Sequence, residues 1–191
     1  MNDINLPLIG LAGFKRSGKD TIARALVAHY GYHQAAFADA LRREVHEIDG
    51  VPPVPDEMKD APLPGRKGTT YRDLLIQRGM ARRAEDPGYW IKALNAALCG
   101  RLYTGERVVI SDVRLPNEMA WIKAAGGLIV WVRRDGICSS GHATEQDNSR
   151  ACDFTIYNDG SHPAILAVRL VRMIGLRKLY ARPQASLAVG T

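Results

Sequence analysis

Cysteine, aromatic residues and long apolar runs are all scarce in this chain, and each scarcity closes off a class of protein. Only three cysteines occur among 191 residues, Cys99, Cys138 and Cys152, far apart and odd in number. No CxxC pair and no Cys/His metal spacing exists, so a disulfide framework or a structural zinc site is excluded and a reduced, cytoplasmic setting is expected. Aromatics make up only 7% of the residues, which argues against a stacking groove for single-stranded nucleic acid. The longest uncharged apolar stretches, around Leu6–Phe14 and Ala124–Val132, are about half the ~20 residues a membrane span needs. No cationic start leads into an apolar core, so no signal peptide is expected. Collagen-like, coiled-coil, membrane-spanning and disordered classes drop out.

What remains is an ordinary globular composition, 46% hydrophobic and 24% charged, of a length that suits one domain over residues 1–191. The net charge is +6, and 19 of the 26 basic residues are arginine. A guanidinium grips phosphate oxygens with a planar fork, so this excess suits an anionic ligand; an arginine-rich codon bias accounts for it equally well.

Periodicity gives an alternating strand–helix order. Leu8–Ala12 is a short buried strand, followed by a helix with Ile22, Leu26 and Tyr30 on one face. Gln34–Ala38 reads as a second strand, followed by a helix through Leu41, Val45 and Ile48. The pattern then collapses over Gly50–Gly68, which holds five of the ten prolines and three glycines; it reads as a mobile insertion. Thr70-x-x-Asp73 has the form of a capping box, and Asp86-Pro87 gives a second helix start with Trp90, Leu94, Ala97 and Leu98 as its apolar stripe. Arg107–Ser111 and Leu128–Val132 are strands flanking a helix over Asn117–Ala125. Phe154–Tyr157 is the last strand, Pro163–Leu179 the closing helix, and residues 182–191 a frayed tail. Such an order predicts an α/β fold of three layers, with a mainly parallel sheet of about five strands covered on both faces. Ligands then sit at the carboxyl ends of the strands.

The strongest signal is Gly13-Phe14-Lys15-Arg16-Ser17-Gly18-Lys19-Asp20-Thr21, directly after the first strand and opening the first helix. Its frame, G-x-x-x-x-G-K, is that of a phosphate-binding P-loop. Backbone N–H groups and a helix N-terminus present a concave positive surface to phosphate, and Lys19 reaches the β- and γ-phosphates. Asp20 departs from the usual Ser or Thr that holds magnesium.

These residues resemble the P-loop of phage-type deoxynucleoside monophosphate kinases. The resemblance continues in Phe37-Ala38-Asp39-Ala40-Leu41-Arg42, Arg72-Asp73-Leu74-Leu75-Ile76-Gln77 and Asp86-Pro87-Gly88-Tyr89-Trp90, then in Val109 to Glu118, Gly126-Gly127 and Asn158-Asp159-Gly160. These blocks cover nearly the whole chain in order. The Lys-Asp variant of the loop is also similar to animal-type phosphomevalonate kinase.

The resemblance implies ATP and Mg²⁺ as cofactors, with ATP on Gly13, Arg16, Ser17, Gly18, Lys19, Asp20 and Thr21. It implies Lys15 on the acceptor phosphate. Asp112, after a buried strand, is placed to hold magnesium through water or to recognise the acceptor sugar or base; Asp20 is the other candidate metal ligand. Asp39 is a second carboxylate of this kind, with helix capping as its rival role. Arg114 is a candidate clamp for the acceptor phosphate, and Arg42, Arg72 and Gln77 are weaker candidates on helix faces. Arg133 or Arg134 would neutralise the transferring phosphoryl group from a lid, and Arg134 is carried forward with Lys19 and Asp112 as catalytic. Trp90 either stacks on a base or belongs to the core. His142 and Glu145, in a polar loop, are candidate substrate contacts.

The expected activity is transfer of the ATP γ-phosphate to a (deoxy)nucleoside monophosphate. Its partner is that small molecule, with no membrane and no stable nucleic-acid partner; the resemblance allows a homodimer and a bacterial or phage-infected host cytosol. The rivals are a P-loop kinase of another phosphorylated metabolite and a basic, ATP-dependent nucleic-acid-binding protein. No helix-turn-helix or aromatic–basic platform supports the last.

Overall fold

The computed structural model describes residues 8–139 and 146–180, the side chains of 177–180 excepted. Five strands, β1 (Ile9–Ala12), β2 (His33–Ala35), β3 (Val108–Val113), β4 (Leu128–Arg133) and β5 (Phe154–Tyr157), form one sheet in the order β2-β3-β1-β4-β5. Every pairing is parallel. Helices α1 (Lys19–Tyr30), α2 (Phe37–Asp49), α3 (Tyr71–Glu85), α4 (Tyr89–Tyr103), α5 (Pro116–Ala124) and α6 (Pro163–Tyr180) cover it. The expected three-layer α/β architecture is the observed one.

Central position explains the sequence of β1. Ile9 lies opposite Val109 on one side and Leu128 on the other, so all four residues of the strand are buried. On one face of the sheet, Ile9, Leu11, Val109, Val130 and Ile156 pack against Ile22 and Leu26 of α1 and Leu166, Leu170 and Ile174 of α6. On the other face, Ala12, Ile110, Val113 and Ile129 meet Leu94 and Leu98 of α4 and Met119 and Ile122 of α5. Each fully buried Ile or Leu stabilises the fold by roughly 1.5–3 kcal/mol. Among the described residues no helix is long and apolar enough to cross a membrane.

A third, smaller core joins Val45 of α2 to Tyr71 and Leu74 of α3. Residues 50–68, expected as a mobile insertion, are anchored to it through Val51, Val54 and Leu63. The segment holds a 3₁₀ turn at Asp56–Met58 and a bridge between Pro62 and Thr70. Arg66 also donates to the Asp49 carbonyl. The tail from 182 lies outside the described residues.

Most boundaries shift by a residue or two from the sequence reading, β3 running on to Val113 so that Asp112 lies within it rather than after it, and two differences have a clear physical reason. The second strand covers His33–Ala35 rather than Gln34–Ala38, because Phe37 already starts α2. Its N–H and that of Ala38 are held by the Asp112 carboxylate at 2.8 and 2.9 Å. Asp86 closes α3 rather than capping α4, with its N–H on the Arg82 carbonyl and its carboxylate accepting from Gly88 N–H. The Thr70–Asp73 capping box is formed as expected.

Candidate active site

β1 stops at Ala12 and α1 starts at Lys19, and the six residues between them turn sharply. Gly13 and Gly18 have φ of +139° and +103°, and Arg16 a φ of +65°. A side chain at 13 would place its Cβ 2.5 Å from the Val132 carbonyl oxygen of β4, and one at 18 would place it 2.3 Å from Asn158 Nδ2. Both glycines are therefore demanded twice, by backbone conformation and by close approach.

Lys19 folds back over this loop. Its Nζ donates to the carbonyls of Gly13 and Phe14, each at 2.8 Å. Ser17 is buried, and its hydroxyl has no hydrogen-bond partner among the described residues. Such an orphan costs about 1–3 kcal/mol unless something supplies a partner. Gly18 caps α1 without a side-chain bond, so the helix start is open to an anion. Thr21 is half-buried in the first turn, beside exposed Asp20, Lys15 and Arg16. An orphan hydroxyl, a lysine and an uncapped helix start around a glycine-shaped concavity fit the phosphates of ATP. Among the described residues no group of three or more His, Cys, Asp or Glu could hold a metal. Of the two expected metal ligands, Asp20 is exposed beside the loop and Asp112 has both oxygens on backbone N–H groups.

Asp112 sits at the tip of β3, next to β1. Both its oxygens cap α2, and burial pushes its carboxyl above the usual carboxylate range against the pull of these two N–H donors. Nearby Glu118 is buried on α5 and accepts from Arg114 N–H at 2.8 Å and Leu115 N–H at 3.0 Å through one oxygen. Its other oxygen lies 3.8 Å from an Arg83 nitrogen. Burial first, then the Asp112 charge, raise its pKa to about 7, opposed by the N–H donors and Arg83. Glu118 is not among the sequence-predicted site residues; its place three residues after Leu115, at a helix start, is the signal of the cap it forms. Arg114 is exposed and lines a small recess with Gly13, Phe14 and Trp131.

Asp39, Arg42, Arg72 and Gln77 lie on the arm formed by α2 and α3, and Trp90 on α4. Asp39 takes the helix-capping role, from the third position of α2 rather than as its N-cap, accepting from Ala36 N–H at 2.9 Å and from Arg42 at 2.9 Å. Arg72 forks onto Asp60, with one bond of 3.1 Å. Gln77 is exposed. Trp90 takes the core alternative and not the base-stacking one. It is 3% exposed, donates to the Gly79 carbonyl at 3.3 Å and meets Tyr89 edge-on.

On the opposite side of the loop, a cleft of about 220 Å³ is lined by Phe14, Ser17, Arg133, Arg134, Cys138 and Asp147 among others. Arg133 stacks over the Tyr157 ring at 5.8 Å, and Arg134 is exposed at the mouth. His142 and Glu145 lie outside the described residues. The structure thus gathers residues 13–21, Asp112, Arg114 and Arg134 around one sheet edge, and sends Trp90 into the core.

No family model matches the chain. In the fold, it is similar to shikimate kinase from Aquifex aeolicus, with a TM-score of 0.50 over 90% of this chain and 98% of that one, at 14% identity. In sequence it is similar to a protein of Acanthamoeba polyphaga mimivirus that carries the provisional name deoxynucleotide monophosphate kinase. The two are 34% identical over 155 residues, 69% of this chain and 76% of the viral protein. A chain with this loop, this sheet order and that degree of kinship belongs to the P-loop kinases and, among them, to the family of the mimivirus protein.

Proposed function

We propose that the protein transfers the γ-phosphoryl group of ATP, with Mg²⁺, to a deoxynucleoside 5′-monophosphate, giving the diphosphate. Phosphotransfer of the P-loop kinase type, onto a small phosphorylated metabolite, is the coarser statement that family membership carries. The deoxynucleotide acceptor is the finer one, and the name of the mimivirus relative supports it. The observation that carries the reading is the loop itself, with Lys19 poised on two carbonyls and the Ser17 hydroxyl left without a partner.

MgATP supplies the transferable phosphoryl group and a cation that offsets its charge. Phosphoryl transfer asks the protein mainly for positioning and positive charge. Gly13, Arg16, Ser17, Gly18 and Thr21 would hold the triphosphate, Lys19 exchanging carbonyl partners for phosphate oxygens. Asp20 and Asp112 would hold the metal. Lys15 and Arg114 would orient the acceptor phosphate, and Arg42, Arg72, Asp39, Gln77, His142 and Glu145 would shape its site. Arg134, whose neighbour is engaged with Tyr157, would enter from the lid.

A second reading, a kinase of another phosphorylated metabolite, is favoured by Trp90. With that ring in the core, the candidate acceptor residues on the described arm include no aromatic platform for a base. One screen separates the two: ATP and Mg²⁺ against every common nucleoside and deoxynucleoside monophosphate and a set of metabolite phosphates, with products identified by mass. A deoxynucleoside diphosphate as the preferred product is expected. Turnover confined to a non-nucleotide phosphate would replace the first reading with the second.

A further inference from the structure

We infer that Asn158 is a positioning residue of the phosphate loop, acting on it from the far end of the sheet; the inference rests on the loop's reading as a nucleotide site. Asn158 follows β5, and its Nδ2 donates to the Ser17 carbonyl at 2.9 Å across 141 residues of sequence. Two further bonds hold it there. Its own N–H donates to the Arg133 carbonyl at 2.7 Å, and its Oδ1 accepts from Gly160 N–H at 3.2 Å. With the amide oxygen committed to Gly160, only the NH₂ end is left to face the loop. The next residue braces the turn: Asp159 accepts from Ser161 N–H at 3.0 Å and pairs with Arg169 of α6 at 2.8 Å.

The consequence for the loop follows from peptide geometry. In a planar trans peptide the carbonyl and the following N–H point in opposite directions. Holding the Ser17 carbonyl toward Asn158 therefore aims the Gly18 N–H away from it, as a fixed donor at the start of α1. Space is used to the same end, because the Asn158 amide fills the volume that a side chain at 18 would take. Gly18 and Asn158 are a matched pair, one shaped around the other. The same residue is bonded through its own backbone N–H to the carbonyl of Arg133, the residue before Arg134, so position 158 ties the phosphate loop, by its side chain, to the base of the cleft that Arg134 lines, by its backbone.

The test compares wild type with Asn158→Asp and Asn158→Ala, and with Asp159→Asn as a control that loosens the same turn without touching Ser17. Asn158→Asp keeps the shape and turns an oxygen toward the Ser17 carbonyl in place of a donor. Three measurements are made: amide hydrogen exchange of residues 13–19 in the ligand-free protein, ATP affinity by calorimetry, and KM for each substrate with the melting temperature. For both Asn158 variants, exchange in 13–19 is expected to rise and ATP affinity to fall, each by about tenfold, the weight of one hydrogen bond. Acceptor KM and melting temperature should stay near wild type, and Asp159→Asn should resemble wild type. Unchanged exchange and affinity in both variants would overturn the inference. So would loss of affinity accompanied by faster exchange throughout the sheet, which marks a residue of general structure. A wild type that binds no ATP would sink the nucleotide reading, while the ligand-free exchange data would still decide the clamp.

Discussion

The phosphate loop and the α2–α3 arm bond their cations differently. In the loop, Lys19 donates to backbone carbonyls. In the arm, guanidinium after guanidinium is matched to a carboxylate: Arg42 to Asp39, Arg72 to Asp60, Arg78 to Asp49 and Arg82 to Glu44. A bond from a lysine to a neutral carbonyl can be exchanged for one to phosphate without stranding a counter-charge at that bond. An arginine held by a carboxylate must leave one behind. On the proposed reading the loop exchanges its bonds on binding while the arm's ion pairs hold its shape, and both halves of that contrast can be tested.

The largest effect is expected at Lys19. Lys19→Ala should lower kcat at least ~100-fold at saturating ATP and acceptor, the usual cost of removing one positioned electrostatic group, with far-ultraviolet circular dichroism unchanged. A kcat within a few-fold of wild type would erase the contrast. Next comes Asp112, where arm and sheet join. Asp112→Ala leaves the Phe37 and Ala38 N–H groups without their acceptor and should cost about 1–3 kcal/mol in urea unfolding. Asp112→Asn keeps one acceptor and should cost less.

Glu118 sharpens the comparison through pH. Its carboxyl titrates near 4.5 in an open chain and at about 7 in the fold. Between those values the folded protein keeps a proton that the unfolded chain has released. The associated stability is therefore full below pH 4.5 and drains away as pH rises through 7, by up to about 3 kcal/mol. Melting curves from pH 4.5 to 8 should show this fall in wild type and much less of it in Glu118→Gln. Parallel curves for the two proteins would mean that Glu118 keeps an ordinary pKa. The smallest effect is expected at Arg72. Its ion pair with Asp60 is exposed, so Arg72→Ala should leave the melting temperature almost unchanged. If the arm also binds acceptor, KM for acceptor should rise while KM for ATP stays put.

The same contrast explains what could be read from the sequence. The loop was legible because its chemistry belongs to the backbone: Gly13 and Gly18 mark the turn, and Lys19 follows at fixed spacing. The buried strands announced themselves through Val108-Val109-Ile110, and Thr70 with Asp73 spelled out a cap. The arm was opaque because a guanidinium's partner is chosen by tertiary packing. Nothing local pairs Arg78 with Asp49 or Arg82 with Glu44. Asp112 capping Phe37 and Ala38 is a contact between residues some 75 positions apart, which no window reveals. In 50–68, proline and glycine masked Val51, Val54 and Leu63, three apolar residues that tie the segment down. Trp90 carried two meanings at helical spacing, and only packing chose between them.

The placement of β1 has a consequence for how the chain comes to be made. This strand is the first described element to leave the ribosome, yet its two neighbours are β3 and β4, with Ile9 paired to Val109 and Leu128. At roughly 5–20 residues per second of synthesis, the strand that carries the phosphate loop waits about 5–20 seconds for its first partner. Throughout that interval an apolar strand, its glycine turn and the Ile22–Leu26 face of α1 are exposed together. The nascent chain is thus most prone to aggregate, and most in need of a chaperone, before β3 has emerged.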